Sequence, residues 1–185
     1  MSDLEVLEAL LRQRSLVFGD FLLASGQRSS YYIDARRTTM AALGQRLIGT
    51  LGLELIRSRG WTPNSVGGLT MGADPVAYAI ARASLESPPI VDAFSVRKAT
   101  KEHGTKKRVV GNFESGFAVV IVEDVITSGG SAIQAVDAVR AEGGRVAGVL
   151  AVVDREEGGT LAIRSYGVDV VCITTISRLS TPLVI

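Results

Sequence analysis

Residues 119–131, V-V-I-V-E-D-V-I-T-S-G-G-S, place two adjacent carboxylates directly after an unbroken apolar run. Such a run, without polar alternation, is typical of a central parallel strand that helices cover on both faces. Glu123 and Asp124 then stand at the carboxyl end of the strand, where open α/β sheets bind their ligands. The segment therefore predicts an α/β fold with a binding site at one edge of the sheet.

Five small residues follow the acids and precede a helical pattern. They are Thr127, Ser128, Gly129, Gly130 and Ser131. Backbone N–H groups at a helix start, together with the partial positive charge of the helix, bind anions. Neither the Walker pattern nor G-x-G-x-x-G is present, so we expect an anion site of another kind. Taken alone, the acids and the Gly-Gly turn are also compatible with ordinary loop chemistry.

Similar apolar runs recur along the chain and alternate with helical patterns. The predicted strands cover residues 66–69, 90–96, 117–123, 146–154 and 168–174. This order predicts a mainly parallel, five-stranded, doubly wound sheet. Residues 1–35, which begin with a helix capped by Ser2 and Glu5, are expected to form a small hood with the C-terminal tail. We expect one domain over residues 1–185.

Length and composition limit the class of protein. A chain of 185 residues suits one domain with a substantial core, and no apolar run is long enough to cross a bilayer. The N-terminus is acidic and helical rather than a signal peptide, which favours a cytoplasmic location. Cys172 is the one cysteine, so no disulfide can form within a subunit. It lies in an apolar run and is expected to pack in the core.

The positive charge is concentrated in one segment. All four lysines fall within residues 98–107, and Arg97, Arg108 and the only histidine lie beside or among them. The segment has neither helical nor strand periodicity, which predicts a mobile cationic loop. A merely solvated loop is one interpretation, and nucleic-acid binding is disfavoured by the net charge of +1 and the few aromatic residues. Beside an anion site, such cations are suited to stabilising a departing polyphosphate.

These two features resemble motifs of a known enzyme family. Residues 119–131 resemble the phosphoribosyl pyrophosphate (PRPP) motif of type I phosphoribosyltransferases, and residues 97–104, R-K-A-T-K-E-H-G, resemble the loop R-K-x-x-K-x-H-G of orotate phosphoribosyltransferases. The resemblance implies the type I fold and transfer of the 5-phosphoribosyl group from PRPP to orotate. The products would be orotidine 5-phosphate and pyrophosphate, in pyrimidine (UMP) biosynthesis, with Mg²⁺ as cofactor.

The resemblance also implies roles for individual residues. Arg97, Lys101, His103 and Asp124 are expected to be catalytic. In a homodimer, Arg97, Lys101 and His103 would act in the neighbouring site, while Lys98 serves its own subunit. Mg²⁺ would be held largely by substrate oxygens and water, so no protein ligand is assigned. The residues expected to bind PRPP are Gly72, Ala73, Arg97, Lys98, Lys101, His103, Glu123, Asp124, Val125, Ile126, Thr127, Ser128, Gly129, Gly130 and Ser131.

Residues 18–34 resemble the substrate-side hairpin of that family, in which Tyr32 and Ile33 would flank the pyrimidine. Many members carry a lysine where this chain has Ala24, so the phosphate contact of that lysine is missing here. For Tyr31, ordinary packing within a strand is as good an explanation as a place beside the substrate.

Two strand ends complete the resemblance. Residues 66–75 resemble the pyrophosphate loop, and Asp74 is expected to cap the helix that follows. Residues 151–159 contain Arg155, which by resemblance would grip the orotate carboxylate with help from Thr127. From the dipeptide Asp154-Arg155 alone, a surface salt bridge would be the simpler interpretation.

Two alternative functions remain on the same fold. A phosphoribosyltransferase for another base would keep residues 119–131 but would not need the R-K-x-x-K-x-H-G loop or Arg155. A non-catalytic PRPP-sensing regulator usually carries an added recognition element, and the sequence offers none. We expect neither a nucleic-acid nor a membrane partner.

Overall fold

The computed structural model describes residues 1–22, 28–99 and 107–180. Ala24 and three of the basic residues, Lys101, His103 and Lys106, lie outside the described residues. The helices are α1 (Asp3–Arg14), α2 (Arg36–Thr39), α3 (Ala42–Ser58), α4 (Ala73–Ser84), α5 (Gly130–Ala141), α6 (Gly159–Ser165) and α7 (Ile176–Ser180). The strands are β1 (Leu16–Leu22), β2 (Arg28–Ile33), β3 (Ser65–Leu69), β4 (Asp92–Val96), β5 (Val109–Gly111), β6 (Ala118–Ile126), β7 (Arg145–Asp154) and β8 (Val170–Thr175). Within these ranges, no helix is both long and apolar enough to cross a membrane.

The central sheet has the strand order β5-β4-β3-β6-β7-β8. Its strands β4, β3, β6, β7 and β8 run parallel to one another and are the five that the sequence predicts. The sequence patterns miss β5, a three-residue edge strand that pairs antiparallel with β4. The prediction of a mainly parallel α/β sheet is confirmed.

Residues 118–122 of strand β6 are all apolar because the two faces of the strand enter two different cores. Val120 and Val122 pack in a cluster that includes buried residues of α3 and α4. Val119 and Ile121 pack on the opposite face, in a cluster that includes Val136 of α5. Helices therefore cover both faces of the sheet, as the unbroken apolar run predicts.

The first and last described helices are joined at the hood. The capping box of α1 is present: Ser2 N donates to Glu5 Oε2 at 2.7 Å, and Glu5 N donates to Ser2 Oγ at 3.3 Å. Glu8, which is buried, accepts hydrogen bonds from Thr174 Oγ1 at 2.8 Å and from Arg178 Nε at 2.6 Å. Strands β1 and β2 form the predicted antiparallel hairpin.

The free cysteine is part of the core. Cys172 lies on β8 and packs against the cluster that contains Val119 and Ile121. Burial is the main cause that raises the pKa of its thiol to about 12. The thiolate is therefore scarce at neutral pH, which agrees with a packing role rather than a nucleophilic one.

The two central strands separate at their carboxyl ends. Pairing between β3 and β6 ends at Gly67 and Ile121, whereas β6 pairs with β7 as far as Ile126 and Asp154. Chain connections leave β3 and β6 toward opposite faces of the sheet, since α4 and α5 pack in different cores. This is the topological switch point at which open α/β sheets bind ligands.

Candidate active site

A cleft of about 430 Å³ opens at this switch point. The predicted site residues that line it are Tyr32, Ile33, Gly72, Lys98, Glu123, Asp124, Val125, Thr127, Ser131 and Arg155. The hood, the ends of β3, β4, β6 and β7, and the start of α5 all contribute to it. Six lining residues were not predicted: Asp34, Ala35, Arg36, Leu69, Thr70 and Met71.

The two acids of β6 differ from ordinary surface carboxylates. Glu123 is only 7% exposed, and its Oε2 has no hydrogen-bond partner among the described residues. Loss of solvation, followed by repulsion from Asp124, raises the pKa of Glu123 to about 8. Burial also raises the pKa of Asp124, whose Oδ1 accepts a hydrogen bond from Val125 N at 2.9 Å. The pair thus offers buried oxygens that a ligand with hydroxyl donors can satisfy.

The loop after β3 approaches the acid pair closely. A Cβ on Gly72 would lie 2.6 Å from Oδ1 of Asp124, so a side chain at this position would require the carboxylate to move. Ala73 is buried and begins α4. At Gly72 the backbone of this loop therefore lies against the Asp124 carboxylate.

The prediction that Asp74 caps α4 is wrong. The helix begins after Gly72, without a side-chain cap, and Asp74 lies inside its first turn. Its carboxylate instead accepts hydrogen bonds from Thr70 Oγ1 at 2.5 Å and from Ser95 Oγ at 2.7 Å. Both carboxylate oxygens of Asp74 therefore accept from hydroxyl groups at neighbouring strand ends instead of from backbone N–H groups of the helix.

A small cavity of about 40 Å³ lies at the start of α5. The cap residue Gly129 has φ +82°, a left-handed conformation that favours glycine, and no side chain caps the helix. The first N–H groups of α5 are therefore available to an anion. The cavity is lined by Glu123, Val125, Ile126, Thr127, Ser128, Gly129, Gly130, Ser131 and Ala132.

The guanidinium of Arg155 places a positive charge on the side of the cleft where Tyr32 and Ile33 lie. The residue follows β7, its backbone N donates to Ile126 O at 3.0 Å, and only 8% of its surface is exposed. A buried guanidinium is costly unless a partner or ligand compensates its charge. It is therefore not the exposed surface salt bridge that the dipeptide alone suggests.

The basic segment is described only at its two ends. Lys98 lines the cleft, and its charge partly opposes the rise in the pKa of Glu123. Arg97 N donates to Arg108 O at 2.9 Å, and among the described residues Arg97 is not one that lines the cleft. The predicted residues Lys101 and His103 lie outside the described residues.

Sequence reasoning missed a third cation in the cleft, Arg36. Arg36 Nε lies 2.8 Å from Oδ1 of Asp34, and this contact lowers the pKa of Asp34. Arg36 also attracts Asp124, which lies on the other side of the cleft. The sequence signal was weak: an Asp-x-Arg directly after the hairpin that was expected to flank the substrate.

The acids offer only a partial metal site. Among the described residues, no group of three or more His, Cys, Asp or Glu side chains is arranged to hold a metal ion. Mg²⁺ usually keeps several waters and needs only one or two carboxylates beside substrate phosphates. Glu123 and Asp124, with one unpaired buried oxygen, fit that mode of binding.

Comparison with known proteins agrees with this geometry. Residues 41–181 match the model of the phosphoribosyl transferase domain. The orotate phosphoribosyltransferase of Aquifex aeolicus (strain VF5) is 43% identical over 182 residues, which cover 97% of this chain and 98% of that protein. A crystal structure of the Mycobacterium tuberculosis H37Rv orotate phosphoribosyltransferase has a TM-score of 0.87 and 41% identity, and the match covers 97% of this chain and 100% of that one. Another crystal structure of that M. tuberculosis enzyme, in complex with PRPP, has a TM-score of 0.83 and 39% identity over the same shares of the two chains.

Proposed function

This chain belongs to the phosphoribosyl transferase family, among the orotate phosphoribosyltransferases, and we propose that it converts orotate and PRPP to orotidine 5-phosphate and pyrophosphate in UMP biosynthesis. One observation carries the proposal. The buried Arg155, the buried Glu123 and its neighbour Asp124 line a single cleft beside an uncapped helix start. The cleft can therefore hold an anionic base and a phosphorylated sugar at the same time.

The sugar half of PRPP fits the β6 side of the cleft. Side-chain oxygens of Glu123 and Asp124 accept hydrogen bonds from the ribose 2- and 3-hydroxyls, which gives the unpaired Glu123 Oε2 a partner. The 5-phosphate lies in the cavity at the start of α5, where backbone N–H groups and the helix charge favour an anion. Together they fix the anomeric carbon in the open part of the cleft.

The base half fits the hood side. The orotate carboxylate accepts hydrogen bonds from Arg155, and Thr127 assists. Tyr32 and Ile33 flank the pyrimidine ring. A base without a carboxylate would leave the buried Nη2 of Arg155 without a hydrogen-bond acceptor, which disfavours such a substrate.

The reaction displaces pyrophosphate from the anomeric carbon through a transition state with oxocarbenium character. Such a reaction depends on alignment, on exclusion of water and on stabilisation of the departing charge. Lys98 supplies one cation from the same subunit. Arg97, Lys101 and His103 supply others from the partner of a homodimer.

The proposed cofactor is Mg²⁺, held by substrate oxygens and water beside Glu123 and Asp124. When bound, it would act as a Lewis acid and a template for the pyrophosphate. The protein's own part is to position the sugar and to surround the leaving group with positive charge. We place the enzyme in the cytoplasm, and its single free cysteine is compatible with a reducing compartment.

A direct assay tests the proposal. The protein is mixed with PRPP, Mg²⁺ and, in separate reactions, orotate, uracil, adenine or hypoxanthine, and both base consumption and pyrophosphate release are followed. Orotate should be consumed with stoichiometric pyrophosphate, and the other bases should be left. Consumption of a purine but not of orotate would assign the protein to another base, and no consumption of any base would leave a PRPP sensor.

A further inference from the structure

Arg155 is held by two residues to which no role in the reaction is assigned, Tyr31 and Glu157. Its Nη2 lies 2.7 Å from Oε1 of Glu157. Its Nε donates to Tyr31 Oη at 3.3 Å, and Tyr31 Oη in turn donates to the same Glu157 Oε1 at 3.3 Å. The three side chains therefore form a closed triad in which each contacts the other two.

The ring of Tyr31 provides a second restraint. The guanidinium carbon of Arg155 lies 4.9 Å from the centroid of the Tyr31 ring, which is a cation–π contact. Tyr31 itself packs against the core cluster that includes buried residues of α3 and α4. The guanidinium plane is thus fixed by a side chain that the core anchors.

The loop that carries the triad is also anchored. Asp154 Oδ1 accepts from Glu156 N at 2.8 Å, and Asp154 Oδ2 accepts from Thr160 Oγ1 at 2.6 Å. Glu156 Oε2 accepts from Ser177 N at 3.0 Å, which ties the loop to α7. The positions of Arg155 and Glu157 are therefore set by β7, α6 and α7 together.

The triad leaves Arg155 incompletely satisfied. Although Nη2 is close to Glu157 Oε1, the geometry of that contact is not that of a hydrogen bond, so this buried nitrogen has no acceptor among the described residues. A guanidinium has five N–H donors, more than Tyr31 and Glu157 engage. Because Arg155 lines the cleft, a ligand carboxylate can supply the missing acceptor.

We propose that Glu157 and Tyr31 are positioning residues that hold the Arg155 guanidinium ready for the carboxylate of the base and so set the preference for a carboxylated pyrimidine. The inference rests on the proposed function. Glu157 is 40% exposed at its side chain while that of Arg155 is 9% exposed, so the acid lies at the solvent side of the buried cation. It compensates the charge of Arg155 without filling the cleft, since Glu157 is not one of the residues that line it. A pre-fixed arginine loses less conformational entropy when the ligand binds.

Steady-state kinetics of Glu157→Ala, Glu157→Gln, Tyr31→Leu and Tyr31→Phe test this. Glu157→Ala should raise KM for orotate by about tenfold, on the scale of one charge-assisted hydrogen bond, while KM for PRPP stays within about twofold. Glu157→Gln keeps an oxygen beside Arg155 and should recover most of that loss. Tyr31→Phe keeps the ring and should be milder than Tyr31→Leu. The matched control is Glu86→Ala, which removes a carboxylate from an exposed ion pair with Arg82 away from the cleft lining.

Each outcome decides between the inference and its rivals. A lower KM for orotate in Glu157→Ala would show that Glu157 competes with the substrate, and an unchanged KM would show that it does not act on Arg155; either result overturns the inference. A general fall in kcat with both KM values unchanged would overturn it too, because the role would then be structural. If Glu157→Ala does not fold, Glu157→Gln and Tyr31→Phe decide the question. Wild-type protein that ignores orotate would instead overturn the proposed function.

Discussion

Gly72 and Asp124 lie so close together that residue 72 cannot carry a side chain without moving the carboxylate. A Cβ at this position would stand 2.6 Å from Oδ1 and 2.9 Å from Cγ of Asp124. The position of the loop after β3 therefore limits where the Asp124 carboxylate of β6 can lie, although the two strands no longer pair at this point.

The first prediction concerns this contact. Gly72→Ala should displace the Asp124 carboxylate. KM for PRPP should rise by about tenfold or more, because overpacking of this kind costs about 1–3 kcal/mol. KM for orotate should change much less. Thermal unfolding of the variant checks that the fold persists, and an unchanged KM for PRPP would show that Asp124 does not need its present position.

The second prediction concerns pH. The pKa of Glu123 is about 8 in the folded protein and about 4.5 in an unfolded chain, so the folded state binds the extra proton between these values. The stability that this proton contributes is complete below about pH 4.5 and is lost as the pH rises through about 8.

Glu123→Gln stays neutral at every pH and avoids this loss. Relative to wild type, the variant should gain on the order of a few kcal/mol in its free energy of unfolding between about pH 5 and about pH 8.5. Urea unfolding of both ligand-free proteins at the two pH values measures the gain. An equal difference at both pH values would mean that Glu123 does not change its protonation state between them, which would contradict the prediction.

The third prediction concerns the cation that sequence reasoning missed. Arg36 lines the cleft and attracts Asp124, so it should also attract the charged groups of PRPP. Arg36→Ala should raise KM for PRPP by about five- to tenfold, the scale of one charge-assisted contact in a partly exposed site. Its matched control is Arg37→Ala, which removes the neighbouring cation that does not line the cleft. If the two substitutions raised KM for PRPP equally, Arg36 would act only through its positive charge and not through a contact in the cleft.

The fourth prediction concerns the basic segment and the dimer. Lys101→Ala should lower kcat by at least about 100-fold, the scale of losing one group that stabilises developing charge. If Lys101 acts in the partner's site, mixing this variant with Asp124→Asn should restore activity, because each hybrid dimer contains one site without either lesion. Free exchange of subunits predicts recovery to about a quarter of wild type, since half of the dimers are hybrids with one intact site.

The control for the mixing experiment is proof of exchange, such as mixed dimers of differently tagged subunits. Exchange without recovery would place Lys101 in the site of its own subunit. Near wild-type turnover of Lys101→Ala alone would remove that residue from the mechanism.

The parts of the fold that follow from strong local patterns could be predicted from the sequence. The central strands β6 and β7 contain long apolar runs, and the acids and Arg155 stand at strand ends that the topology brings to one edge. Strand β5 could not be predicted, because three residues carry no measurable periodicity and its pairing depends on β4.

The missed features of the site depend on contacts between distant segments. The cleft position of Arg36 requires the hood to fold over the sheet, and the Tyr31–Arg155–Glu157 triad joins residues more than a hundred positions apart. Asp74 was misjudged for the same reason, because Ser95 on the neighbouring strand competes for its carboxylate. Local propensity cannot include such partners.

The central claim is that the acid pair of β6 binds the sugar while Arg155 binds the base. Calorimetric titration of PRPP with Mg²⁺ into wild-type, Asp124→Asn and Arg155→Leu proteins tests this claim most directly. Asp124→Asn should weaken PRPP binding by about tenfold or more, on the scale of a charged hydrogen-bond acceptor, and Arg155→Leu should leave it within about twofold of wild type. Unchanged binding of PRPP by the folded Asp124→Asn protein would contradict the account.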